Sequence, residues 1–395
     1  MQKRAIALTA LWLTACSAET PSLRVMMADK VSRPAADQAE TWTVTGDLAG
    51  DARSFFFGQT DLYLAGISPD ADSKLADVLR AMGRNDLVDA GQDEAPDHGC
   101  PRQWVEPIEM IARAARDSRV VIVESERHAP AQSAFVQDLV TRLAGDGFTV
   151  FADDGLTLGP GGASHPEVML VSEGLVTRDP AQGRLVREAK RHHMTLVDPG
   201  VWWTSPAELS SLSTDVERVR RQDALASQVA RRIFARDPSA RVIIHAERPS
   251  NAAESDAFKA RVADLTGHMP LQIALLDCVA DWADPAFLPS YGDGAGIRAD
   301  LVFAIPQPQV KAGRVTSGRE QAESLVSLPM AFLAKDKPVL VEARRVGDPD
   351  LAVPEDRLML LPGDRMPLIL PPGDYRIEAW TRSGPVAAPV TVEVT

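Results

Sequence analysis

Short apolar runs and amphipathic segments alternate along residues 119–305, and this alternation limits the folds open to the chain. Short β-branched runs are typical of buried strands, whereas apolar residues recurring every three or four positions are typical of helices. We expect strands at 119–123, 148–151, 168–171, 194–197, 241–245, 271–275 and 300–305, and helices at 132–145, 180–192, 206–236 and 252–265. Strands separated by helical crossovers predict an α/β fold with a mostly parallel, covered sheet.

The sequence pattern changes near residue 335, where strand-like segments follow one another with turns such as PGD and PPGD between them. This stretch predicts a small all-β, sandwich-like module at 335–395. We expect the α/β domain at 53–325, preceded at 17–52 by a tether that contains one candidate edge strand. A further strand is predicted at 61–67.

The first residues have the pattern of a bacterial export signal. Lys3 and Arg4 form a charged start, an apolar segment too short to span a bilayer follows, and the tetrapeptide Leu-Thr-Ala-Cys ends at Cys16. This tetrapeptide resembles a lipobox. The resemblance implies that residues 1–16 are a lipoprotein signal and that Cys16 is lipidated. Ser17 after the cysteine implies the outer membrane, on the periplasmic side. An ordinary signal peptide with a chance cysteine is the alternative.

The formal net charge of −13 becomes −15 when the two basic residues of the signal are removed. Such an acidic chain is a poor match for nucleic acid or for anionic lipid surfaces. The expected partners are the membrane, through the lipid anchor, and a small molecule or another envelope component. An oxidising periplasm favours a disulfide between the remaining cysteines, Cys100 and Cys278, and separate reduced thiols are the alternative.

Polar residues come directly after the predicted strand at 119–123. If the strand continues, alternation places Glu124, Glu126 and His128 on one face at its carboxyl end, where open α/β sheets bind ligands. A carboxylate beside an imidazole can activate water, and the same pair can ligate a divalent metal. A loop in which these charges satisfy one another is the alternative.

The tetrapeptide Ser-Glu-Arg-His at 125–128 resembles the Gly-Glu-x-His signature of the superfamily that joins erythromycin esterase-like proteins and ChaN-like haem-binding proteins. Segments at 177–197, 221–233 and 241–254 follow in the order found in that superfamily, so the resemblance covers roughly residues 100–280. It implies a similar α/β domain and either ester hydrolysis or haem binding. The signature glycine is replaced by Ser125, and the second signature histidine is missing.

The same resemblance places an acid after the second strand, here Asp153 or Asp154. We count Asp154 and His245, which ends its own predicted strand, with Glu126 and His128 as candidate catalytic residues. A turn aspartate and a core histidine are the alternatives for the first two.

Four residues are candidate ligand-binding groups. Arg178 and Arg221 can clamp a carboxylate or phosphate, Trp202 can stack on a flat ligand such as a porphyrin, and Glu124 lies in the strand-end motif. Ion pairs on helices and packing of the tryptophan are the alternatives.

Three functions remain open from the sequence. The chain is an envelope lipoprotein that binds a small molecule or partner with a degenerate site, a hydrolase of ester-type bonds that uses a Glu/His pair, or a haem-binding lipoprotein. Haem and a divalent metal are the candidate cofactors. Because each motif departs from its family pattern, the location of the site is predicted more firmly than its activity.

Overall fold

The structure is a computed structural model. It describes residues 48–68, 73–88, 106–126, 129–158, 162–163, 165–174, 179–200, 214–249, 251–278, 286–287, 299–306, 310–311, 314–315 and 323–395. The predicted signal with Cys16, most of the tether at 17–52, and Cys100 lie outside these residues. No helix within the described stretches is both long and apolar enough to cross a membrane.

Seven described strands form the central sheet. They are β1 (Val120–Ser125), β2 (Val150–Asp153), β3 (Thr195–Val197), β4 (Val242–Glu247), β5 (Leu271–Cys278), β6 (Ala286–Phe287) and β7 (Leu301–Pro306). Their order is β3-β2-β4-β1-β5-β7-β6, and every neighbouring pair is parallel except β6 with β7. The predicted α/β fold with a mostly parallel sheet is confirmed.

Helices cover both faces of this sheet. The described helices are α1 (Leu48–Leu64), α2 (Ser73–Ala81), α3 (Asn85–Val88), α4 (Pro107–Ala114), α5 (Pro130–Gly145), α6 (Pro180–Arg191), α7 (Thr214–Val229, continued by a π-helical turn at Ala230–Phe234) and α8 (Ala252–Thr266). Val121 and Val123 of β1 pack in a core with α4, α5 and α6, whereas Val120 and Ile122 pack in a second core with α7 and α8. Alternate side chains of β1 therefore lie in the two cores. Burial of each one contributes roughly 1.5–3 kcal/mol to the stability of the fold.

Local sequence fixes where the helices near the candidate site begin and end. Pro130 and Pro180 occupy first-turn positions, where the missing N–H costs no intrahelical bond. Asp179 caps α6 by accepting the Ala181 N–H at 2.9 Å. Gly267 ends α8 in the left-handed conformation. Helix α5 thus begins five residues after the carboxyl end of β1.

The remaining described strands belong to the C-terminal part of the chain, and all but three short ones between residues 310 and 326 lie within the predicted all-β module at 335–395. They are β8 (Val310–Lys311), β9 (Arg314–Val315), β10 (Ser324–Val326), β11 (Val339–Arg345), β12 (Asp356–Leu360), β13 (Leu368–Leu370), β14 (Gly373–Thr381), β15 (Gly384–Pro385) and β16 (Val390–Val394). β11, β12, β14, β15 and β16 form an antiparallel sheet. Its apolar residues build a core of their own.

The strand predicted at 61–67 is wrong, because α1 extends to Leu64. The alternating residues of DLYLAGI belong to a helical pattern that begins earlier, in which Phe56, Thr60 and Tyr63 share one face. Phe56 and Tyr63 pack with α2 and with Leu340 and Met359 of the C-terminal sheet. The N-terminal helices thus lie against the β module, and α1 already begins at Leu48, inside the stretch expected to be tether.

The strand predicted at 168–171 is also wrong. Leu170 forms only an isolated bridge with Ala352, in the connection between β11 and β12. The Val353 N–H donates to the Met169 carbonyl at 2.8 Å, and the Val171 N–H donates to the Leu351 carbonyl at 2.9 Å. The apolar run is buried by this contact with the C-terminal module, so it needs no place in the central sheet.

Candidate functional site

Three neighbouring strands bring a serine, a histidine and an aspartate together at the carboxyl edge of the sheet. Ser125 ends β1, Asp153 ends β2, and His245 lies in β4, the strand between them. The registers pair His245 with Asp153 on one side and with Val123 on the other. Ser125 is two residues beyond Val123, so its side chain points to the same face as that of His245.

The three side chains form a continuous hydrogen-bonded chain. Ser125 Oγ lies 2.8 Å from His245 Nε2, and His245 Nδ1 lies 2.7 Å from Asp153 Oδ2. Because an ionised carboxylate only accepts, this bond favours the tautomer with the proton on Nδ1. Nε2 is then left as an acceptor for the Ser125 hydroxyl proton. We call this arrangement the Ser125–His245–Asp153 triad.

The triad is held rigidly within the fold. Ser125, His245 and Asp153 are exposed by only 2%, 5% and 2%. The second carboxylate oxygen of Asp153 accepts the Gly155 N–H at 2.7 Å, which fixes the carboxylate plane. The Phe151 ring stacks on the imidazole with centroids 6.3 Å apart. Little side-chain freedom is therefore left to lose when a substrate arrives.

This constellation has the components of nucleophilic acyl transfer. A hydroxyl hydrogen-bonded to an imidazole, which a buried carboxylate orients, is the activated-nucleophile arrangement of serine hydrolases. The chain order serine, aspartate, histidine is also that of α/β-hydrolases. Ser125 ends a regular strand, however, and does not occupy the strained turn of a Gly-x-Ser-x-Gly elbow.

One backbone donor beside Ser125 is already engaged. The Glu126 N–H donates to the side-chain oxygen of Gln132 at 2.8 Å, and Gln132 is completely buried at the start of α5. The N–H that follows a nucleophile is a usual oxyanion donor in α/β-hydrolases. In this structure the position of an oxyanion is filled by the glutamine oxygen.

Glu126, predicted as a catalytic residue, faces a different partner. Its half-exposed carboxylate forms an ion pair with Arg248, which follows β4. The Arg248 N–H donates to the Ser125 carbonyl at 2.8 Å, so this pair lies at the same edge of the sheet as the triad. Its predicted partner His128 lies outside the described residues, and the Glu126–His128 pairing stays a prediction.

Asp154 and Arg221 are both bound by neighbouring protein groups. Asp154 accepts the Glu247 N–H at 3.1 Å, whereas the triad uses the preceding residue, Asp153. Arg221 lies 2.7 Å from Glu217 and 3.1 Å from Glu247, so its guanidinium already has two carboxylate partners. The structure thus brings His245 to the predicted site and places Asp154 and Arg221 in supporting contacts around β4.

Glu124 points away from the triad, into the core beneath α8. Its carboxylate accepts from Ser255 Oγ at 2.8 Å and from Gln272 Nε2 at 3.0 Å, and it is completely buried. Burial raises the pKa of Glu124 to about 7, against the two hydrogen bonds, which lower it. The strand ends at Ser125, so the alternation that predicted a shared face for Glu124, Glu126 and His128 does not extend to Glu126, and His128 lies outside the described residues.

Several predictions lie beyond the described residues. Arg178, Trp202 and Cys100 all lie outside the described residues. The predicted Cys100–Cys278 disulfide therefore stays a prediction. Among the described residues, no group of three or more His, Cys, Asp or Glu side chains is arranged to hold a metal ion. The haem and metal expectations therefore stay predictions.

Sequence reasoning did not count Ser125 among the candidate site residues. The resemblance treated this position as a replaced glycine and drew attention to the residues after it. The available signal was that a serine, an aspartate and a histidine each stand at or near the end of a separate strand, at 125, 153 and 245. That signal becomes specific only when the strand order is known.

Comparisons with known proteins leave the family open. No protein-family model matches the chain, and no curated protein matches it. The solved structure of the type III effector HopBA1 gives a TM-score of 0.34 at 12% identity, over 54% of this chain and 99% of that one. The signal recognition particle 54 kDa protein of Aeropyrum pernix K1, solved with GDP, gives 0.21 at 14% identity, over 57% of this chain and 46% of that protein. The chain thus spans about half of the second protein, and both similarities are too low to support an argument about function.

Proposed function

We propose that this chain is a hydrolase of ester-type bonds in which Ser125 is the nucleophile. The observation that supports the proposal is the unbroken hydrogen-bonded chain from Ser125 Oγ to His245 and on to Asp153, at 2.8 and 2.7 Å. Both distances lie within the range required of a nucleophile and its base. The location at the carboxyl ends of parallel strands is where α/β proteins bind ligands.

In the proposed first step, His245 Nε2 accepts the hydroxyl proton as Ser125 Oγ bonds to the ester carbonyl carbon. The carbonyl electrons move to the oxygen, and the resulting intermediate collapses as the bond to the alcohol oxygen breaks. His245 returns the proton to that oxygen, so the leaving group departs as a neutral alcohol. Asp153 holds the imidazole in orientation and stabilises its transient positive charge.

In the second step, water replaces the alcohol. His245 accepts a proton from water as the water oxygen attacks the acyl carbon, and the proton then passes to Ser125 Oγ as the acyl bond breaks. A carboxylic acid is released and the serine is restored. Esters are favoured because an alcohol leaves more readily than an amine when few oxyanion donors assist.

The proposal requires Gln132 to give up one bond. When its side-chain oxygen moves away from the Glu126 N–H, that N–H can donate to the developing oxyanion instead. A single donor of this kind contributes roughly 10²–10³ in rate. Exchange of one acceptor for another leaves the N–H satisfied throughout.

A binding role without turnover is the second candidate, and it is the function expected of a degenerate site. Two observations favour it: Ser125 is almost fully buried, and the Glu126 N–H is already paired with Gln132. In this case the triad is a structural link between β1, β4 and β2. Haem binding through His128 remains a separate proposal, tested by a haemin absorbance band that His128→Ala removes.

We also propose that the chain is a lipoprotein on the periplasmic side of the envelope, anchored through Cys16. Cys16→Ser should release the protein from the membrane fraction. A variant that stays membrane-bound would contradict the anchor.

Covalent labelling with a fluorophosphonate probe tests the hydrolase proposal without a known substrate. The wild type should be labelled at Ser125, and Ser125→Ala should not. The matched control is Ser255→Ala, because Ser255 is 3% exposed and its hydroxyl donates to the carboxylate of Glu124. Labelling that persists in Ser125→Ala would refute the assignment, and an unlabelled but folded wild type would favour the binding role.

Ser125→Gly separates the two hydrolytic routes, because it restores the residue of the resembled signature. If water is activated by Glu126 and His128, turnover of p-nitrophenyl acetate should survive this change. If Ser125 is the nucleophile, turnover should be lost, as in Ser125→Ala.

A further inference from the structure

A cavity with an unusual lining lies between the α/β unit and the C-terminal module. It has a volume of about 160 Å³ and is lined by four arginines, Arg184, Arg187, Arg191 and Arg345. None of the triad residues lines it. An arginine-rich cavity runs against the overall charge of −13, so the clustering is local.

The arginines converge because two elements present them from opposite sides. Residues 184, 187 and 191 recur at intervals of three and four, which places their side chains on one face of α6. Arg345 ends β11 in the C-terminal sheet. The cavity therefore exists only where α6 meets this sheet.

Glu355 holds three of these arginines together, two through its buried carboxylate and one through its backbone carbonyl. Glu355 Oε1 lies 3.2 Å from Arg187 Nε and 3.0 Å from Arg345 Nε, and the Glu355 carbonyl accepts from Arg184. Burial alone would raise the pKa of Glu355, but Arg187, Arg184 and Arg345 together hold it below its ordinary range. Glu355 is therefore ionised and shares one negative charge among three guanidinium groups.

The other carboxylates are spread unevenly around the arginines. Asp348, just outside the lining, lies 3.1 Å from Arg187, and Glu188 lies 2.6 Å from Arg191. Glu323 comes only within 3.9 Å of Arg184. Arg184 has no carboxylate within hydrogen-bonding distance among the described residues.

We propose that this cavity binds a small oxyanion, a phosphate or carboxylate group, with Arg184 and Arg191 as its direct ligands. A planar guanidinium presents a fork of N–H donors that matches the paired oxygens of both groups. Of the other two arginines, Arg187 is held by Glu355 and Asp348, and Arg345 is held by Glu355. An oxyanion would give Arg184 an anionic partner within hydrogen-bonding distance, which it lacks among the described residues.

Calorimetric titration of the full chain with inorganic phosphate at constant ionic strength tests the proposal. Wild-type protein should bind with saturation at a single site. Arg184→Gln should weaken binding roughly tenfold or more, since a hydrogen bond to a charged group is lost. Arg191→Gln, at a largely exposed residue, should weaken it in the same direction without disturbing the fold. Arg116→Gln, at an exposed arginine far along the chain, is the matched control and should change affinity less than about twofold.

A parallel titration with acetate distinguishes the two sources of the oxyanion. Saturable binding of both ions supports a general oxyanion site, and saturation by phosphate alone identifies a phosphate site. Equal weakening by Arg184→Gln and Arg116→Gln would overturn the proposal, because binding would then follow net charge. The absence of saturation by either ion below about 10 mM would overturn it as well.

Discussion

Replacement of Glu124 by glutamine should change how the stability of this protein depends on pH. Glu124 is completely buried on the face of β1 opposite the triad, with Ser255 and Gln272 as its hydrogen-bond donors. Burial raises its pKa from 4.5 to about 7, because two hydrogen bonds offset only part of the cost of desolvating a carboxylate. Glu124→Gln keeps the shape of the side chain but can never ionise.

The sign follows from proton binding. Between about pH 4.5 and 7 the folded protein keeps a proton on Glu124 that the unfolded chain has lost, so this group makes stability fall as pH rises through that window. Its stabilising contribution is complete below pH 4.5 and is lost above pH 7. The gap between 4.5 and about 7 corresponds to roughly 3 kcal/mol, an order-of-magnitude figure for a buried group.

Urea denaturation of the wild type and Glu124→Gln at several pH values between about 4 and 8.5 measures the effect. The free energy of unfolding of the variant minus that of the wild type should rise by roughly 3 kcal/mol across the series. Contributions of other carboxylates, such as the buried Glu355, are common to both proteins and cancel in the difference. Glu167→Gln, at an exposed glutamate, is the control and should give a flat difference. A flat difference for Glu124→Gln, or one that grows towards low pH, would refute the reasoning.

Three further predictions concern single substitutions. Gly83→Ala should destabilise the fold by about 2 kcal/mol or more, because Gly83 has φ +70° and an added Cβ would lie 2.6 Å from the Arg357 carbonyl. Gly147 has φ +87° but open space around it, so Gly147→Ala measures the cost of backbone strain without a clash, and thermal unfolding compares the two variants. Glu342→Gln should cost about 3–5 kcal/mol in chemical denaturation, since it leaves buried guanidinium partners, Arg357 among them at 2.9 Å, without their counter-charge. Asp153→Asn should reduce kcat on p-nitrophenyl acetate by roughly 10³–10⁴ with little change in KM, because the imidazole loses its oriented tautomer; an unchanged kcat would contradict the role given to the triad.

The elements of the central sheet could be predicted because their sequences are locally consistent. Val120 to Val123 is an uninterrupted run of apolar, β-branched residues. Such a run is typical of a strand buried on both faces, and helices cover both faces of β1. The proline and glycine punctuation around α5, α6 and α8 likewise fixed helix positions to within a few residues. The C-terminal strands could be predicted because turn sequences such as PGD and PPGD separate them.

The two wrong strands failed because tertiary contacts decided them. The segment at 61–67 shows strand-like alternation over only a few residues. The helix α1 is favoured there because one of its faces packs on Leu340 and Met359. The apolar run at 168–171 is buried by Leu351 and Val353, which lie about 180 residues further along the chain. A window of local sequence contains neither partner.

The triad could not be predicted because it depends on strand order. Sequence patterns indicate which residues end a strand, but the order of parallel strands depends on how crossover helices pack on either face. Only the insertion of β4 between β1 and β2 makes His245 a neighbour of both Ser125 and Asp153. With β4 at an edge, the same three residues would be ordinary polar strand ends.

The alternation of β1 also separates Glu124 from the proposed nucleophile. Glu124 and Ser125 are consecutive, yet one side chain enters the core beneath α8 and the other meets His245 on the opposite face. The protonation of Glu124 therefore acts on the stability of the sheet, whereas the proposed mechanism takes place on the other face. Since the backbone of β1 lies between them and neither side chain touches the other, a pH–rate profile measured on Glu124→Gln should keep the wild-type inflection even as its unfolding curve changes. The two faces of one strand would then carry stability and reactivity as separable functions of pH.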